Sequence, residues 1–177
     1  DTVIEGFTIS EGLSASDAYE GQGGGLGCYE SSPTIRSCKF LNNSGYHGGA
    51  CSVAYGSAVF SDCVFEDNHV TGADGPYPWG GGLVVVDGNV LVENCMFKNN
   101  TSSYSAGAIG ALGDDVYGTL EIKNCQFENN NSSLFSGACG VGFGIGVVID
   151  ECLFVGNHSS NGGAVLIQIM AEDGDPV

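Results

Sequence analysis

The chain has 177 residues, and a hydrophobic content of 42% is enough to fill a sizeable core in one domain. Four Lys and Arg residues against 21 Asp and Glu give a net charge of −17. This balance excludes nucleic-acid binding, because phosphate contacts require clustered basic side chains. No run of about 18 apolar residues occurs, so we expect no direct insertion into a membrane.

The chain begins in a strand pattern, with Val3, Ile4 and Ile9 among its first residues and no initiating Met. We therefore interpret residues 1–177 as a single domain that is a segment of a longer protein or a subunit of a fibre. Phe7 opens the first, weak copy of an internal repeat, in which Glu5 stands where later copies have cysteine.

Two short phrases then alternate along the chain at intervals of roughly 30 residues, a period typical of solenoids. The first phrase is Gly, then Gly or Ala, then an apolar residue: Gly24–Leu26, Gly49–Cys51, Gly81–Leu83, Gly107–Ile109, Gly137–Cys139 and Gly163–Val165. The second phrase is Cys-x-Phe-x-x-Asn: Cys38–Asn43, Cys63–Asn68, Cys95–Asn100, Cys125–Asn130 and Cys152–Asn157.

Each repeat also contains an alternating apolar stretch before its cysteine, such as Val90 and Val92, closed by a polar pair such as Glu93 and Asn94. Alternation with period two predicts strands with one buried face, and the polar pair predicts a bend. No interval contains a helical pattern, so successive parallel strands must coil. The sequence predicts an all-β fold, a right-handed parallel β-helix (solenoid) of about six coils with three short strands each. With coils about 4.8 Å apart, the rod is roughly 30 Å long.

Stacked coils place like residues above like residues, so the repeat predicts three structural ladders. The glycines let the chain turn where φ is positive or where a side chain would collide with the next coil. The expected thiol ladder is Cys38, Cys63, Cys95, Cys125 and Cys152. The expected aromatic ladder is Phe40, Phe65, Phe97, Phe127 and Phe154. The expected amide ladder is Asn43, Asn68, Asn100, Asn130 and Asn157, which would bond the coils above and below.

The stretch between each ladder Asn and the next Gly varies most in length, and we interpret it as a rim loop. The longest such loop, residues 69–79, contains Tyr77 and Trp79 and is the candidate binding loop, because function concentrates in long loops on a rigid scaffold. The three histidines, His47, His69 and His158, all fall in these loops, and we expect each to be solvated.

The eight cysteines favour a ladder of buried free thiols over disulfides, since parallel Cβ vectors on stacked coils lie farther apart than a disulfide prefers. Strained bridges such as Cys38–Cys63 or Cys95–Cys125 are the alternative. Zinc is disfavoured, because no Cys-x-x-Cys or nearby His completes a tetrahedral site.

Asn-x-Ser/Thr sequons occur six times, and three of the asparagines (Asn100, Asn130 and Asn157) are ladder positions expected to be buried. Asn42, Asn99 and Asn131 are the expected carriers of covalent glycans. Calcium binding has weak support in acidic clusters, for which solvated charge is favoured; no other cofactor is expected. These clusters are Glu66-Asp67, Asp114-Asp115, Asp150-Glu151 and Glu172-Asp173-Asp175.

A polysaccharide-cleaving enzyme is the rival class, because such enzymes also use β-helices. Their sites need paired carboxylates, or a base beside calcium, on one face. Here Lys98 is expected between Glu66 and Glu128, an arrangement that favours a charge-compensated exterior and no catalytic site.

The pairing of Phe-x-x-Asn with Gly-Gly-Ala-(Ile/Leu/Val) resembles the repeat of the polymorphic outer membrane protein family. The resemblance extends from Phe7 to about Ile169. It implies a β-helix at the cell surface or outside the cell, with an adhesive or structural role.

Neither end shows an amphipathic cap, so both ends could stack on further coils or on another copy. The sequence thus predicts a non-catalytic extracellular structural rod that self-associates through its ends, as a filament or part of a surface shaft. Adhesion through loop 69–79 is the alternative.

Overall fold

The computed structural model describes residues 2–14, 22–71, 80–113 and 118–167, which contain β-strands and no helix. The strands follow one another in six successive coils of the solenoid, which we call rungs 1 to 6. Rung 1 contains β1 (Val3–Glu5), β2 (Thr8–Ser10) and β3 (Leu26–Tyr29). Rung 2 contains β4 (Thr34–Arg36), β5 (Lys39–Leu41), β6 (Ser44–Gly45) and β7 (Cys51–Ala54). Rung 3 contains β8 (Val59–Ser61), β9 (Val64–Glu66), β10 (His69–Val70) and β11 (Leu83–Val86).

The remaining rungs repeat this order. Rung 4 contains β12 (Asn89–Glu93), β13 (Met96–Lys98), β14 (Thr101–Ser102) and β15 (Ile109–Leu112). Rung 5 contains β16 (Gly118–Lys123), β17 (Gln126–Glu128), β18 (Asn131–Ser132) and β19 (Cys139–Val141). Rung 6 contains β20 (Ile145–Asp150), β21 (Leu153–Val155) and β22 (Val165–Ile167).

Every strand pairs in parallel with its equivalents in the neighbouring rungs. Sheet 1 has the order β1-β4-β8-β12-β16-β20, sheet 2 the order β2-β5-β9-β13-β17-β21, and sheet 4 the order β3-β7-β11-β15-β19-β22. This architecture confirms the predicted right-handed parallel β-helix, because only a coiling chain lays successive strands side by side in one sense without crossover helices.

The expectation of three strands per coil is incomplete. A fourth, four-stranded sheet, here sheet 3, joins β6, β10, β14 and β18, directly after the ladder asparagines. The segment interpreted as a loop therefore begins with two paired residues in rungs 2 to 5. His69 pairs with Thr101 and Ser44, for example. Two residues are too few to show a period of two, which is why the sequence pattern missed them.

The predicted bend before each cysteine is a left-handed backbone corner. The residue preceding the thiol position has a φ of 52° in Ser37, 54° in Asp62 and 52° in Asn94. A second corner of the same kind precedes each ladder asparagine, with φ values of 52° at Asn42 and 56° at Asp67. Short polar side chains tolerate this conformation better than other non-glycine residues, and this explains their recurrence at both corners.

The glycines of the Gly-Gly/Ala phrase owe their identity to close approach and not to φ. A Cβ at Gly49 would overlap the carbonyl oxygen of Gly81, and a Cβ at Gly81 would overlap that of Gly107. Positive φ values occur at Gly6, Gly144, Gly156 and Gly162, none of which begins a phrase. The positive-φ part of the expectation is therefore wrong, and the collision part is correct.

Rung 1 is shifted by two residues from the predicted alignment. Ile9 pairs with Phe40, so Ile9 and not Phe7 occupies the aromatic position. Phe7 precedes β2 at the position of Cys38, and 60% of its surface is exposed. The corner at Gly6, with a φ of 72°, sets this register. Assigning Phe7 to the ladder by residue type was wrong, because the corner and not the aromatic ring fixes the alignment.

A second apolar cluster covers the outer face of sheet 4. Ala54, Val70, Val84 and Val86 are at most 1% exposed, although Val84 alternates with the inward-facing Leu83 and Val85. Both faces of this sheet are thus buried, and β11 is a continuous apolar run, as is typical of parallel strands covered on both sides.

Candidate functional site: the columns and the end rungs

The five ladder phenylalanines stack face to face through the interior. Ring centroids are 4.9 Å apart for Phe40 and Phe65, 4.5 Å for Phe65 and Phe97, 5.0 Å for Phe97 and Phe127, and 4.7 Å for Phe127 and Phe154. Interplanar angles do not exceed 11°. The strand spacing of about 4.8 Å imposes this geometry. Phe40, Phe65, Phe97 and Phe127 fill the core, and Phe154 is partly buried at the end of the stack.

The ladder asparagines form a continuous hydrogen-bonded column. The Oδ1 atom of Asn100 accepts from both the backbone amide and the Nδ2 atom of Asn68, at 3.0 and 2.9 Å. Its own Nδ2 atom donates to the carbonyl of Phe65 at 2.9 Å and to Oδ1 of Asn130 at 3.0 Å. Every polar atom of the buried amide is therefore satisfied, and only an amide supplies both donors and acceptor at this position.

The thiol column contains no disulfide; four of its thiols are buried and Cys152 is partly exposed. All eight cysteines lie in the described part of the chain, and each is a free thiol. The Sγ atom of Cys95 lies 3.2 Å from the carbonyl of Glu93 and 3.4 Å from the amide nitrogen of Cys63. Hydrogen bonds to Cys125 and Cys63, together with burial, raise the pKa of Cys95. Burial raises the pKa of Cys28 to about 11 and that of Cys51 well above its usual range, so these thiols are poor nucleophiles and metal ligands.

The six sequons divide into locked and accessible positions. Asn100 and Asn130 are fully buried, and Asn157 is half-buried with its amide bonded to the carbonyl of Phe127. Asn42 is exposed at a left-handed corner, and Asn131 is exposed on β18. Asn99 occupies the corner equivalent to that of Asn42 and is half-buried.

The histidines do not share one environment. His69 is exposed on β10, with Nδ1 2.6 Å from the Thr101 hydroxyl, and His158 is also exposed. His47 is only 6% exposed and packs against Tyr46, so the expectation of a solvated side chain is wrong for this residue. The next residue, Gly48, is also closely packed, since a Cβ there would overlap the carbonyl oxygen of Cys51.

Charged side chains alternate along the outer face of sheet 1 in a column that we call the charge column. Its members, in register from rung 1 to rung 6, are Glu5, Arg36, Ser61, Glu93, Lys123 and Asp150. The Arg36 guanidinium donates to Glu5 at 2.8 Å, which raises the pKa of Arg36. The ammonium group of Lys123 lies 2.6 Å from Glu121, and Asp150 and Glu93 further raise its pKa.

A shorter charged row runs along sheet 2. Lys98 lies 3.5 Å from Glu66 and pairs in register with Glu128 on the other side. Both side chains of the Glu66–Lys98 pair are more than a third exposed. Lys98 thus lies between Glu66 and Glu128 along this row.

The calcium and loop candidates are only partly described. Asp67 and Glu151 occupy left-handed corners in different rungs, and the described residues include no group of three or more His, Cys, Asp or Glu side chains able to hold a metal. Asp114-Asp115 and Glu172-Asp173-Asp175 lie outside the described residues. So do Tyr77 and Trp79 of loop 69–79, whose first two residues belong to β10.

The end rungs expose what the middle rungs bury. Core side chains at the two ends are only partly buried, namely Ile4, Ile9 and Leu26 in rung 1 and Ile149, Cys152, Phe154 and Val165 in rung 6. Outward-facing apolar residues are also exposed there: Val3 (50%), Val148 (53%), Leu153 (51%) and Val155 (50%). Sequence reasoning named the open ends but not these side chains, which residue type alone does not distinguish from their buried equivalents.

Comparison with known proteins adds no relative. No known family model matches the chain. No curated protein matches it. No solved structure matches it. Among the described residues, none forms a helix of the length and apolarity that crossing a membrane demands. The fold is thus a parallel β-solenoid, and the resemblance to one particular repeat family rests on the sequence phrases alone.

Proposed function

We propose that this chain is a non-catalytic structural segment of a β-helix rod, in which the end rungs bury their apolar side chains on further rungs. The observation that carries the proposal is the partial exposure of core residues such as Ile149 and Phe154, whose equivalents Val92 and Phe97 are fully buried. Apolar surface of this kind is driven out of water by stacking. A rod that grows in this way serves as a filament or as part of a surface shaft.

The cell surface or the extracellular space is the location we propose. The support is the likeness of the Phe-x-x-Asn and Gly-Gly-Ala phrases to repeats of the polymorphic outer membrane protein family. Exposed sequons at Asn42 and Asn131 are compatible with covalent glycans in a secretory pathway. A net charge of −17 keeps rods apart laterally and favours growth along the axis.

Sedimentation velocity and electron microscopy of the chain test this function. We expect association to increase with protein concentration and to produce particles longer than one rod of roughly 30 Å. Ile149→Lys places a charge in the open core at the end of rung 6 and should shift the chain to monomers. Val148→Lys changes the charge equally on the adjacent residue, which points outward, and should associate like the parent chain.

Far-UV circular dichroism must show the same strand content in both variants. Monomers at every concentration of the parent chain, or equal loss of association in both variants, would contradict stacking through the ends. Incubation with acidic and neutral glycans should release no product; bond cleavage would support the enzyme alternative.

Adhesion through loop 69–79 is the second candidate. The chain leaves sheet 3 after Val70 and returns at Gly80, which bridges to Ala106 on the outer layer over sheet 4. Both anchors of the loop, Val70 and Gly80, belong to rung 3, between the two ends of the rod. Deleting residues 72–79 should abolish binding to cells or glycans, with no change in melting temperature, if this candidate is correct.

A further inference from the structure

The two ends of the rod are not complementary to each other, and this difference bears on what stacks on rung 6. We propose that the end of rung 6 is specific for a β-helix rung that carries Asn at the ladder position and Lys or Arg in the charge column. The inference rests on the proposed function and identifies the partner of the same surface.

The asparagine column is open at rung 6. Each ladder asparagine of the lower rungs donates twice to the next rung, as Asn130 does to Oδ1 of Asn157, at 3.0 Å from the backbone amide and 2.9 Å from Nδ2. Asn157 accepts these bonds and donates to Phe127, but no acceptor in the described part of the chain takes its own two donations toward a next rung. A partner rung with Asn in register supplies the missing Oδ1 atom. Leaving these donors covered without an acceptor would cost the desolvation of each group.

The asparagine column ends at rung 1, where no asparagine occupies the ladder position. Gly12 takes the ladder position there, and its amide donates to Oδ1 of Asn43 at 3.0 Å. Glycine offers no side-chain acceptor to a rung below it. A Cβ at Gly12 would overlap the carbonyl oxygen of Gly24, so no side chain fits this position. Rung 1 of a second copy therefore leaves the two donations of Asn157 without an acceptor, so copies of the chain should stack on one another more weakly than a complementary rung would.

The charge column indicates independently that rung 1 of a second copy is a poor partner for rung 6. Asp150 ends the column at rung 6 after Lys123, so alternation calls for a basic residue above it. Rung 1 presents Glu5 at this position, already paired with Arg36. Stacking one copy on another would place the backbones of Asp150 and Glu5 about 4.8 Å apart. Their side chains would then lie side by side on one face, and the two carboxylates would repel each other.

Rung 2 of this chain has the required features. It carries Arg36 in the charge column and Asn43 in the asparagine column. Its outward residue Leu41 would meet Val155, because both occupy the last position of their strands in sheet 2. All of its residues are described, so a copy of it makes a defined seventh rung.

The test is an extended chain in which a copy of residues 30–54 replaces residues 169–177. Because each rung of a solenoid gains stability from its neighbours, we expect the melting temperature to rise by about 5 °C. Asn43→Gly or Arg36→Glu, made only in the added copy, should each remove a measurable part of this gain, and the double variant most of it.

The matched control is Ser37→Asn in the added copy, a corner position at which rung 4 carries Asn94. It should keep the full gain. Equal stabilisation by the added rung and by its Asn43→Gly and Arg36→Glu forms would overturn the inference while leaving the proposed function standing. No stabilisation by any added rung would contradict the inference, and monomers in sedimentation of the parent chain would separately contradict the proposed function.

Discussion

Rungs 4 and 6 have the same signature but different surroundings, and the difference shows what the signature depends on. Phe97 and Asn100 are fully buried between rungs 3 and 5. Phe154 and Asn157, their equivalents, stack on rung 5 only and are half-buried. A repeat residue thus contributes fully only when it is covered on both sides. Equivalent substitutions in the two rungs should therefore differ in cost, and the size of that difference measures how strongly neighbouring rungs couple.

The glycines that begin each phrase should give the largest contrast. A Cβ at Gly107 would overlap the carbonyl oxygen of Gly137 and lie 2.6 Å from the amide nitrogen of Asn131. Both contacts are with backbone atoms, which cannot rotate away. At Gly163, in rung 6, the nearest atom is the Asn157 carbonyl oxygen at 3.5 Å, an ordinary contact.

We expect Gly107→Ala to lower the free energy of unfolding by about 4 kcal/mol or to prevent folding, since overpacking and backbone shifts both add cost. Gly163→Ala should change it by less than about 1 kcal/mol. Urea unfolding followed by circular dichroism measures both. Equal costs would mean that the rungs separate easily and that the close approach does not hold them together.

The asparagine column should give the next largest contrast. Asn100→Ala removes four hydrogen bonds and leaves the buried backbone amide of Asn68 and one hydrogen of its Nδ2 group without an acceptor. Each unsatisfied buried group costs roughly 1–3 kcal/mol, so a total loss of about 3 kcal/mol is expected. Asn157→Ala removes bonds at a half-buried position that water reaches, and should cost about half as much. Similar losses in the two variants would show that rung 6 is as well covered in solution as rung 4.

Cysteine reactivity should show the same difference without any substitution. The pKa of Cys95 is raised by its hydrogen bonds to Cys125 and Cys63 and by burial, so little thiolate forms below that pKa and alkylation requires opening of the rod. Burial also raises the pKa of Cys152, but this thiol lies in rung 6 and is partly exposed.

Iodoacetamide at pH 8 should label Cys152 roughly 100-fold faster than Cys95, because end rungs open at a small fraction of the global unfolding free energy. The rate at Cys152 should rise with pH as more thiolate forms. Peptide mass spectrometry identifies the labelled positions. Equal rates at the two positions would contradict a more stable centre.

The repeat allowed the fold to be predicted from the sequence. Where the repeated phrase is missing, the alignment of individual residues could not be predicted. Five copies of Cys-x-Phe-x-x-Asn fix the register from rung 2 to rung 6, because each phrase contains one corner residue and one residue of each of the three columns. Rung 1 lacks the phrase, and the aromatic Phe7 was placed in the wrong column. The left-handed corner at Gly6, which sets the register, is not distinguishable in the sequence from other glycines.

The alternation of apolar and polar residues also gave no indication of the packing on the outer face of sheet 4. The fourth sheet and the apolar cluster around Val70 and Val84 form because chain segments fold back over sheet 4. His47, which sequence reasoning placed in solvent, is also buried. The segment that forms sheet 3 has only two paired residues in each of rungs 2 to 5, too few to show a period of two, so periodicity does not reveal it. The charge column and the open asparagine column were likewise visible only once the register was known.

The charge column offers the smallest and most specific test of the ends. Exchanging the partners of the Glu5–Arg36 pair, as Glu5→Arg with Arg36→Glu, keeps the ion pair within the rod but changes the residue that faces Asp150 of a stacked copy from acidic to basic. An exposed charge pair contributes roughly 0.2–1 kcal/mol, so end-to-end association measured by sedimentation should tighten by about 3-fold at low salt. At about 1 M salt, where the Debye length is about 3 Å, the exchanged and parent chains should associate equally. Tighter association that persists at high salt would point to packing in place of charge. Unchanged association at low salt would mean that Asp150 and Glu5 do not meet when two copies stack.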